Sequence, residues 1–569
     1  MYKGTTPRIR KVLYALIIAF ALLGVRLVFV QMGAGKSLSD IASNQYRLAV
    51  SLFPKRGVIY DRNLKELAIT INLNSIFAEP FRVKDKESAS YKLANVLGVS
   101  RDEIYKKLCH EKGFVWLGRK VSPDTARAVR ALDIKGIDFV KEPHRVYPNG
   151  IMASHVMGFT DTDNNGIEGL ELKFDTYLKG AMGYRYAIRD AKQREVPAYE
   201  YKEIQPTDGD NLILTIDSMI QSIAERELEN GFKKYHAKGA CIIVMDPFTG
   251  DLLALANRPS YDPNNAKASS ADFRRNRAIC DFFEPGSSFK IVAASSLLEE
   301  KVVQPSDKFF CENGEYKWCG HTYHDHTPHG WLAFRDVIKL SSNIGTMKAA
   351  QKLGPDRLYK YIKKFGFGVK TGVELPGEVN GITTHPGTWS KLSLCSISMG
   401  QEVTVTALQL ACAISVLANG GNLVKPRIVE RIQDASGHVL QKFESKKPQR
   451  VISEEVAKEM RSILRGVVDS GTAKLAEVDG YFPGGKTGTA QKVEPNGVYS
   501  HSKFTASFIG FVPYDNPRLV IAVIMDEPRP MYYGGVVCAP VFKKVTAELM
   551  SYYKIWPKEK GKLEAKKNH

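Results

Sequence analysis

Residues 480–491 read GYFPGGKTGTAQ, and the first eight satisfy the nucleotide-binding pattern G-x-x-x-x-G-K-[ST] letter for letter. The fold turns on how this stretch is read. A phosphate loop needs a buried strand before the glycines and a helix straight after the lysine, so that backbone N–H groups wrap the phosphates. Upstream, GTAKLAEVDGY holds no continuous apolar run; downstream, QKVEPNGVYSHS carries proline, glycine and polar residues where the helix should start. The stretch therefore reads as an extended strand. A second partial match, GAGKS at 33–37, has Val30 where the first glycine is required.

The N-terminus also argues against a nucleotide. Residues 12–32, VLYALIIAFALLGVRLVFVQM, follow Lys3, Arg8, Arg10 and Lys11. The run is long enough to span a bilayer core, and the upstream positive charges keep the N-terminus cytoplasmic. A cleaved secretory signal is the alternative, since Ala34 and Gly35 are small, but the run exceeds a usual signal core and no A-x-A site is clear. Either reading sends the rest of the chain out of the cytoplasm, away from ATP. Arg26, inside the span, costs about 2.5–3.5 kcal/mol at mid-bilayer unless it snorkels, and marks either a snorkelling side chain or a contact with another membrane protein.

With 569 residues, 44% hydrophobic and 25% charged, the chain can build several domains. Its net charge of +19 suits an anionic partner or surface. No zinc-finger spacing, RNA-binding aromatic pattern or long basic stripe is present, which argues against nucleic acid. The eight cysteines are too scattered for a disulfide scaffold. Cys241, Cys395 and Cys412 read as core residues. Cys311 and Cys319 flank a possible hairpin near His321, His324, His326 and His329. Without a C-x-x-C pair this segment reads as a disulfide or free thiols rather than a zinc site, so no metal and no cofactor is expected.

After the span, a mixed α/β stretch with short strands such as GVIYD (57–61) runs to about residue 205, and QPTDGDN (205–211) reads as a linker. NLILTID then gives a strand, with Asp217 capping the helix SMIQSIAERELENGF. CIIVMDPFTGDLLALAN reads as a hairpin. A long, largely helical middle over 289–417 follows, and three extended runs close the domain: GGKTGTAQ, FTASFIGFVP and RLVIAVIMDEP. Two strands before a helical insert and three after it suggest one antiparallel sheet with helices on its faces. The tail KEKGKLEAKKNH reads as disordered.

Three short motifs carry chemistry. In FEPGSSFKIV (283–292) a helix is expected to start near Ser287, which puts Lys290 on the same face one turn on, whereas Ser288 points elsewhere. Ser287 is then the candidate nucleophile. Lys290 can act as its base if burial or another cation holds it neutral. Taken alone, the pair reads more simply as a capping serine with a solvated lysine. In LSSNIGTMKAAQKLG (340–354), Ser341 is a candidate proton shuttle and Asn343 a candidate ligand for a substrate amide, although Ser and Asn are also ordinary helix caps. On the strand at 484–491, alternation sends Lys486 and Gly488 to one face and Thr487 and Thr489 to the other. Gly488 leaves room for a substrate against the strand. Lys486 offers a charge to a carboxylate and can depress the pKa of Lys290.

S-x-x-K, then S-x-N about fifty residues on, then K-T-G near the domain's end is the ordered signature of penicillin-binding proteins and serine β-lactamases. EPGSSFK, SSN and GGKTGTAQK resemble the three motifs of the class B penicillin-binding proteins, the peptidoglycan D,D-transpeptidases. The resemblance continues in RGVIYDRN (56–63), RVYPNGIMASHVMGF (145–159) and GIEGLE (166–171). In the catalytic part it extends to LTID, DPFTGDLLALANRPSYDPN, SMGQEVTVTALQLA and FIGFVPYDNPRLVIAVIMDEP. Ser-x-Asn is similar to the division-type, FtsI-like group; the elongation group often has Ser-x-Asp.

The resemblance implies an α+β, membrane-anchored protein: cytoplasmic 1–11, transmembrane anchor 12–32, a partner-binding pedestal of the dimerisation type at 33–205, a transpeptidase domain at 206–556, and a basic tail at 557–569. It implies a site in the inner (plasma) membrane, with the catalytic domain extracytoplasmic. Ser287 would attack the penultimate D-Ala carbonyl of a stem pentapeptide, with Lys290 as base and Ser341 and Asn343 relaying protons and holding the peptide. Lys486 and Thr487 would sit near the terminal carboxylate, and the N–H groups of Ser287 and Thr489 would form the oxyanion hole. Implied partners are peptidoglycan stem peptides, β-lactams that trap the same serine, an FtsW-type membrane glycosyltransferase and other divisome proteins. An elongation-type transpeptidase, a membrane-anchored β-lactamase or β-lactam sensor, and a non-enzymatic wall-binding scaffold are the competing readings.

Overall fold

The computed structural model describes residues 6–33, 47–111, 113–189, 195–196, 203–444 and 447–558. The expected tail falls outside them from residue 559, as do positions 34–37 of the second glycine-rich match. By internal contacts the chain divides into two units, Met1–Pro54 with Gly180–Asp208, and Lys55–Lys179 with Gly209–His569.

In the first unit, an α-helix over Thr6–Val28 continues through a π-helical turn, Phe29–Gly33. Its apolar stretch, Pro7–Met32, is long and apolar enough to cross a membrane. Arg47–Leu52 pairs antiparallel with Gly183–Arg189, which also pairs with Glu195–Val196 and Glu203–Ile204.

The second unit is built on two sheets. In the first, the long strand Glu66–Ala78 pairs with Ile137–Val146 and Val115–Val121. Ile76, Ala78 and Leu117 pack against the helices Lys86–Leu97, Arg101–Leu108 and Pro123–Ala131. The same sheet continues through Ile59–Tyr60 into Asn211–Leu214, paired in parallel, and on to Val429–Gln433. The segment expected as a linker at 205–211 thus ends in a strand hydrogen-bonded to chain on both sides of it.

Three of the quoted motifs meet beside this sheet. The buried carboxylate of Glu171, in GIEGLE, accepts from Arg56 Nε (2.6 Å) and Arg145 Nε (2.6 Å). Arg56 also reaches Asp175 (2.6 Å), and Arg145 the carbonyl of Gly57 (2.8 Å). A charge so deeply buried is tolerated only when paired and hydrogen-bonded.

The second sheet has five strands, β1 (Gly239–Met245), β2 (Leu252–Arg258), β3 (Gly484–Val493), β4 (Tyr499–Val512) and β5 (Leu519–Asp526), in the order β2-β1-β5-β4-β3, all antiparallel. This is the expected two-plus-three arrangement. Every residue of β1 and β2 is buried, which requires both faces of the sheet to be covered. The helices Ser218–Lys234, capped by Asp217 as expected, and Ala539–Tyr552 pack on each other and on the strands. The helix Ala407–Ala418, buried at every position, packs on β1, β4 and β5. β3 is an edge strand, so one side of it is open for pairing.

The middle of the domain is less helical than expected. Between α1 (Lys290–Glu299) and α2 (Asn343–Leu353) lie two antiparallel pairs, Lys308–Phe310 with Trp331–Ala333 and Glu315–Trp318 with His321–His324. Most of 366–392 is irregular. Glycine and proline at 314, 320, 328 and 330, between short aromatic runs, break helical periodicity there.

Candidate active site

The turn carrying Ser287 is a short 3-10 segment, Gly286–Phe289, running into α1. Gly286 has φ +52°, a left-handed conformation that costs other residues strain. Its back is pressed against Gly400: the N–H of Gly286 donates to the Gly400 carbonyl (3.0 Å), and a Cβ on Gly400 would lie 2.1 Å from the Gly286 carbonyl oxygen. Glu284 fastens the turn's leading edge by accepting from Glu402 N (2.9 Å) and Tyr499 OH (3.1 Å). Ser288 is buried and donates to the Pro285 carbonyl (2.7 Å). Ser287 is half-buried, and among the described residues its hydroxyl makes no hydrogen bond.

Lys290, the first residue of α1, is wholly buried. Its Nζ donates to the Ser341 carbonyl (2.7 Å) and to Asn343 Oδ1 (2.8 Å), and lies 3.3 Å from Ser341 Oγ. Burial pushes its pKa down to about 7, against the opposing pull of Asp325 and of Cys311. Lys486 on β3 is equally buried and donates to the same Ser341 Oγ (2.9 Å). Burial, and secondly the Lys290 charge, hold Lys486 well below an ordinary lysine. Ser341 thus joins two amines whose charged forms are both disfavoured. The influence expected from Lys486 on Lys290 runs the other way, from Lys290 to Lys486, and burial is the first cause at both.

Ser341 itself has φ +61°. A non-glycine residue held there stores roughly 1–3 kcal/mol of strain and needs its neighbours to hold it. Ser342, next along, is the cap of α2, accepting from Gly345 N (2.9 Å).

Alternation along β3 is as expected, but what fills each side differs. A Cβ on Gly488 would lie 2.3 Å from Ser507 Oγ, 2.7 Å from the Pro285 carbonyl and 3.1 Å from Ser288 Oγ. The space left by the missing side chain is taken by Ser507 and the turn carrying Ser287, not by room for a substrate. Thr487 Oγ1 lies 3.0 Å from Thr472 Oγ1, and Thr489 Oγ1 accepts from Gly534 N (3.1 Å). Beyond Thr489, the strand borders a cavity of about 470 Å³ lined by Phe283, Glu284, Ala490, Gln491 and Lys492 among others.

Cys311 is buried and Cys319 exposed, and both are free thiols. The segment between them and α2 supplies a residue that sequence reasoning missed, Asp325, whose carboxylate receives Ser342 Oγ and the N–H groups of Asn343 and Ile344. A carboxylate three residues from a Pro-His-Gly turn carries no sequence signal for that contact.

A hydroxyl without an internal partner, a buried amine near neutrality one turn away, and a second amine linked through a serine define a serine acyl-transfer site of the penicillin-recognising class. Residues 240–547 match the penicillin binding protein transpeptidase domain, and residues 51–214 the penicillin-binding protein dimerisation domain. The chain belongs to the class B penicillin-binding proteins. It is 35% identical to stage V sporulation protein D of Bacillus subtilis, over 97% of this chain and 86% of that one. It is 32% identical to the peptidoglycan D,D-transpeptidase FtsI of Escherichia coli, over 88% and 84%. The crystal structure of penicillin binding protein 3 from Mycobacterium tuberculosis, complexed with aztreonam, superposes with a TM-score of 0.71 at 28% identity, covering 90% of this chain and 98% of that one.

Proposed function

We propose that this chain is a peptidoglycan D,D-transpeptidase of the division type, held in the plasma (inner) membrane by the helix at 12–32. Its N-terminus is cytoplasmic, its pedestal spans 33–205, and its transpeptidase domain, 206–556, works outside the membrane. The observation that carries this reading is the Lys290–Ser341–Lys486 chain one helical turn from Ser287, whose hydroxyl makes no hydrogen bond among the described residues.

Ser287 Oγ attacks the penultimate D-Ala carbonyl of a stem pentapeptide, and its proton passes to neutral Lys290. The N–H groups of Ser287 and Thr489 receive the developing oxyanion. As the intermediate collapses, the amide C–N bond breaks and a proton delivered through Ser341 leaves with the terminal D-Ala amine. The amine of a neighbouring stem then attacks the ester, gives its proton to the same relay and frees Ser287, leaving a cross-link. Asn343 holds the peptide, and Lys486 and Thr487 receive the terminal carboxylate. A stem lying along the open edge of β3, with that carboxylate at Lys486, continues toward the cavity beyond Thr489. A β-lactam acylates Ser287 in place of the stem.

The relatives support the substrate class, since one carries the name peptidoglycan D,D-transpeptidase and a structural neighbour was solved with aztreonam. Ser341-x-Asn343 and the FtsI relative support division, with an FtsW-type glycosyltransferase and other divisome proteins as partners.

The test is fluorescent penicillin added to the full chain in detergent, followed by gel and over time. Durable labelling lost in Ser287→Ala is expected. Rapid release would instead make the protein a β-lactamase, and absence of label a wall-binding scaffold. Label that survives Ser287→Ala and vanishes in Ser288→Ala would move the nucleophile. A fluorescent fusion spread along the lateral wall rather than gathered at the septum would favour elongation.

A further inference from the structure

We propose that Asp325 is a positioning residue for acylation: its carboxylate holds the Ser341–Ser342–Asn343 turn, and through that turn the Lys290 amine, in the reactive arrangement. The inference rests on the transpeptidase reading of this site. Asp325 comes from the inserted segment after the strand His321–His324, not from α1, α2 or β3. One carboxylate oxygen accepts from the N–H groups of Asn343 and Ile344 (3.0 Å for the latter), and the other from Ser342 Oγ (2.5 Å). Asp325 is itself tethered, its N–H donating to the Gly314 carbonyl (3.0 Å).

These three donors lie immediately after Ser341, the residue strained at φ +61°. Ser342 already caps α2 through Gly345 N, so Asp325 is a second acceptor at the same helix start. The adjoining His324 carbonyl accepts from Asn343 Nδ2 (2.9 Å), which fixes the Asn343 amide and turns its Oδ1 toward Lys290 Nζ at 2.8 Å. Anchoring the turn at Asp325 therefore sets the positions of two of the three acceptors around Lys290.

The same carboxylate also acts through its charge. The titratable groups facing Lys290 are Lys486 from β3, Cys311 just after the strand Lys308–Phe310, and Asp325. Burial disfavours the Lys290 ammonium, and Asp325 first and Cys311 second oppose it. A base is most effective with its pKa near the working pH, and Asp325 keeps Lys290 from falling further below it. Removing that charge lowers the Lys290 pKa, so the acid limb of the acylation profile moves to lower pH.

The experiment measures the single-turnover acylation rate by fluorescent penicillin against pH, for the full chain in detergent, in the parent, Asp325→Asn, Asp325→Glu and Cys311→Ala. Asp325→Asn is expected to slow acylation about tenfold to a hundredfold and to move the acid limb down by about half a pH unit or more. Asp325→Glu, which keeps the charge, is expected to return the limb toward the parent's position. Cys311→Ala removes the Ser342 Oγ–Cys311 Sγ contact (3.3 Å) but leaves the Asp325 charge intact, and because burial raises the Cys311 pKa the lost thiol is neutral over the assay range, so the limb is expected to move less than in Asp325→Asn. Parent-like behaviour of Asp325→Asn, or slowing with no more limb movement than Cys311→Ala, would overturn the proposal. A parent that takes no label fails the transpeptidase reading itself and this proposal with it. Rates are taken per folded molecule, and if Asp325→Asn does not fold, failure of Asp325→Glu to keep the parent's limb overturns the proposal.

Discussion

Lys290→Met removes the proposed base and, by the energetics of burial, is expected to make the fold more stable at neutral pH. A lysine whose ordinary pKa of 10.5 is pushed to about 7 has given up stability on folding. At pH 7 the difference amounts to about 4 to 5 kcal/mol. Methionine is of similar size and carries no such cost. The substitution leaves the Ser341 carbonyl and Asn343 Oδ1 without their Lys290 donor and Ser341 Oγ with Lys486 alone, a loss of about 2 to 3 kcal/mol at roughly 1 kcal/mol for each bond removed. A net gain of about 1 to 3 kcal/mol at pH 7 is expected. The sign then depends on pH. The folded pKa lies below the unfolded one, so between about pH 7 and 10.5 the unfolded parent holds more protons than the folded parent, and the parent's stability rises with pH. By pH 10 the lysine costs less than about 1 kcal/mol, the lost hydrogen bonds still count, and the variant becomes the less stable form. The assay is urea unfolding of parent and variant at pH 7 and pH 10, beside penicillin labelling, which the variant loses. A stability difference of the same sign and size at both pH values would refute the reasoning.

Acylation of the parent by penicillin is expected to rise with pH through about 7, since only neutral Lys290 accepts the Ser287 proton; a flat profile in stopped-flow labelling between pH 5.5 and 8.5 would contradict it. Gly488→Ala forces a methyl to within 2.3 Å of Ser507 Oγ and 2.7 Å of the Pro285 carbonyl. The strand and the nucleophile turn must part, so acylation is expected to fall about a hundredfold and stability by about 1 to 3 kcal/mol, measured by labelling rate and melting. Glu171→Gln removes the charge facing two buried guanidinium groups and is expected to cost about 3 to 5 kcal/mol. Limited proteolysis should show earlier cleavage within 55–179, while any remaining folded protein still takes the label.

The readable parts of this protein are those whose physics is local. Asp217 caps its helix and the Asp-Pro and Thr-Gly turn closes β1 onto β2 as the residues alone indicate, because a cap or a tight hairpin needs only neighbours in sequence. Ser287, Lys290, Ser341, Asn343 and Lys486 were legible as an ordered set, and the structure gathers the last four of these around Lys290 and Ser341. The contacts that hold them were not legible. Asp325 reaches α2 only after the inserted pairs fold back, and Gly400 reaches Gly286 across more than a hundred residues. The reading of Gly488 failed for a related reason: the pleat of a strand tells which face a residue is on, not what comes to cover that face.

The strand at 484–493 also makes clear why its likeness to a nucleotide loop is accidental. Its backbone is committed to a ladder, with Gly484 opposite Phe511, Lys486 opposite Ile509 and Gly488 opposite Ser507, so its amides cannot curl around a phosphate. A phosphate-loop lysine extends a solvated charge toward its ligand, whereas Lys486 is buried and held well below its ordinary pKa. On the proposed reading, this is what suits it to a peptide carboxylate. Both amines reach Ser341 Oγ; on that reading a carboxylate favours the ammonium at Lys486, and a positive charge there favours neutral Lys290, the form that can take the Ser287 proton. Recognition of the substrate's end and readiness of the base are then one electrostatic event, and it requires both lysines to be buried on the same serine.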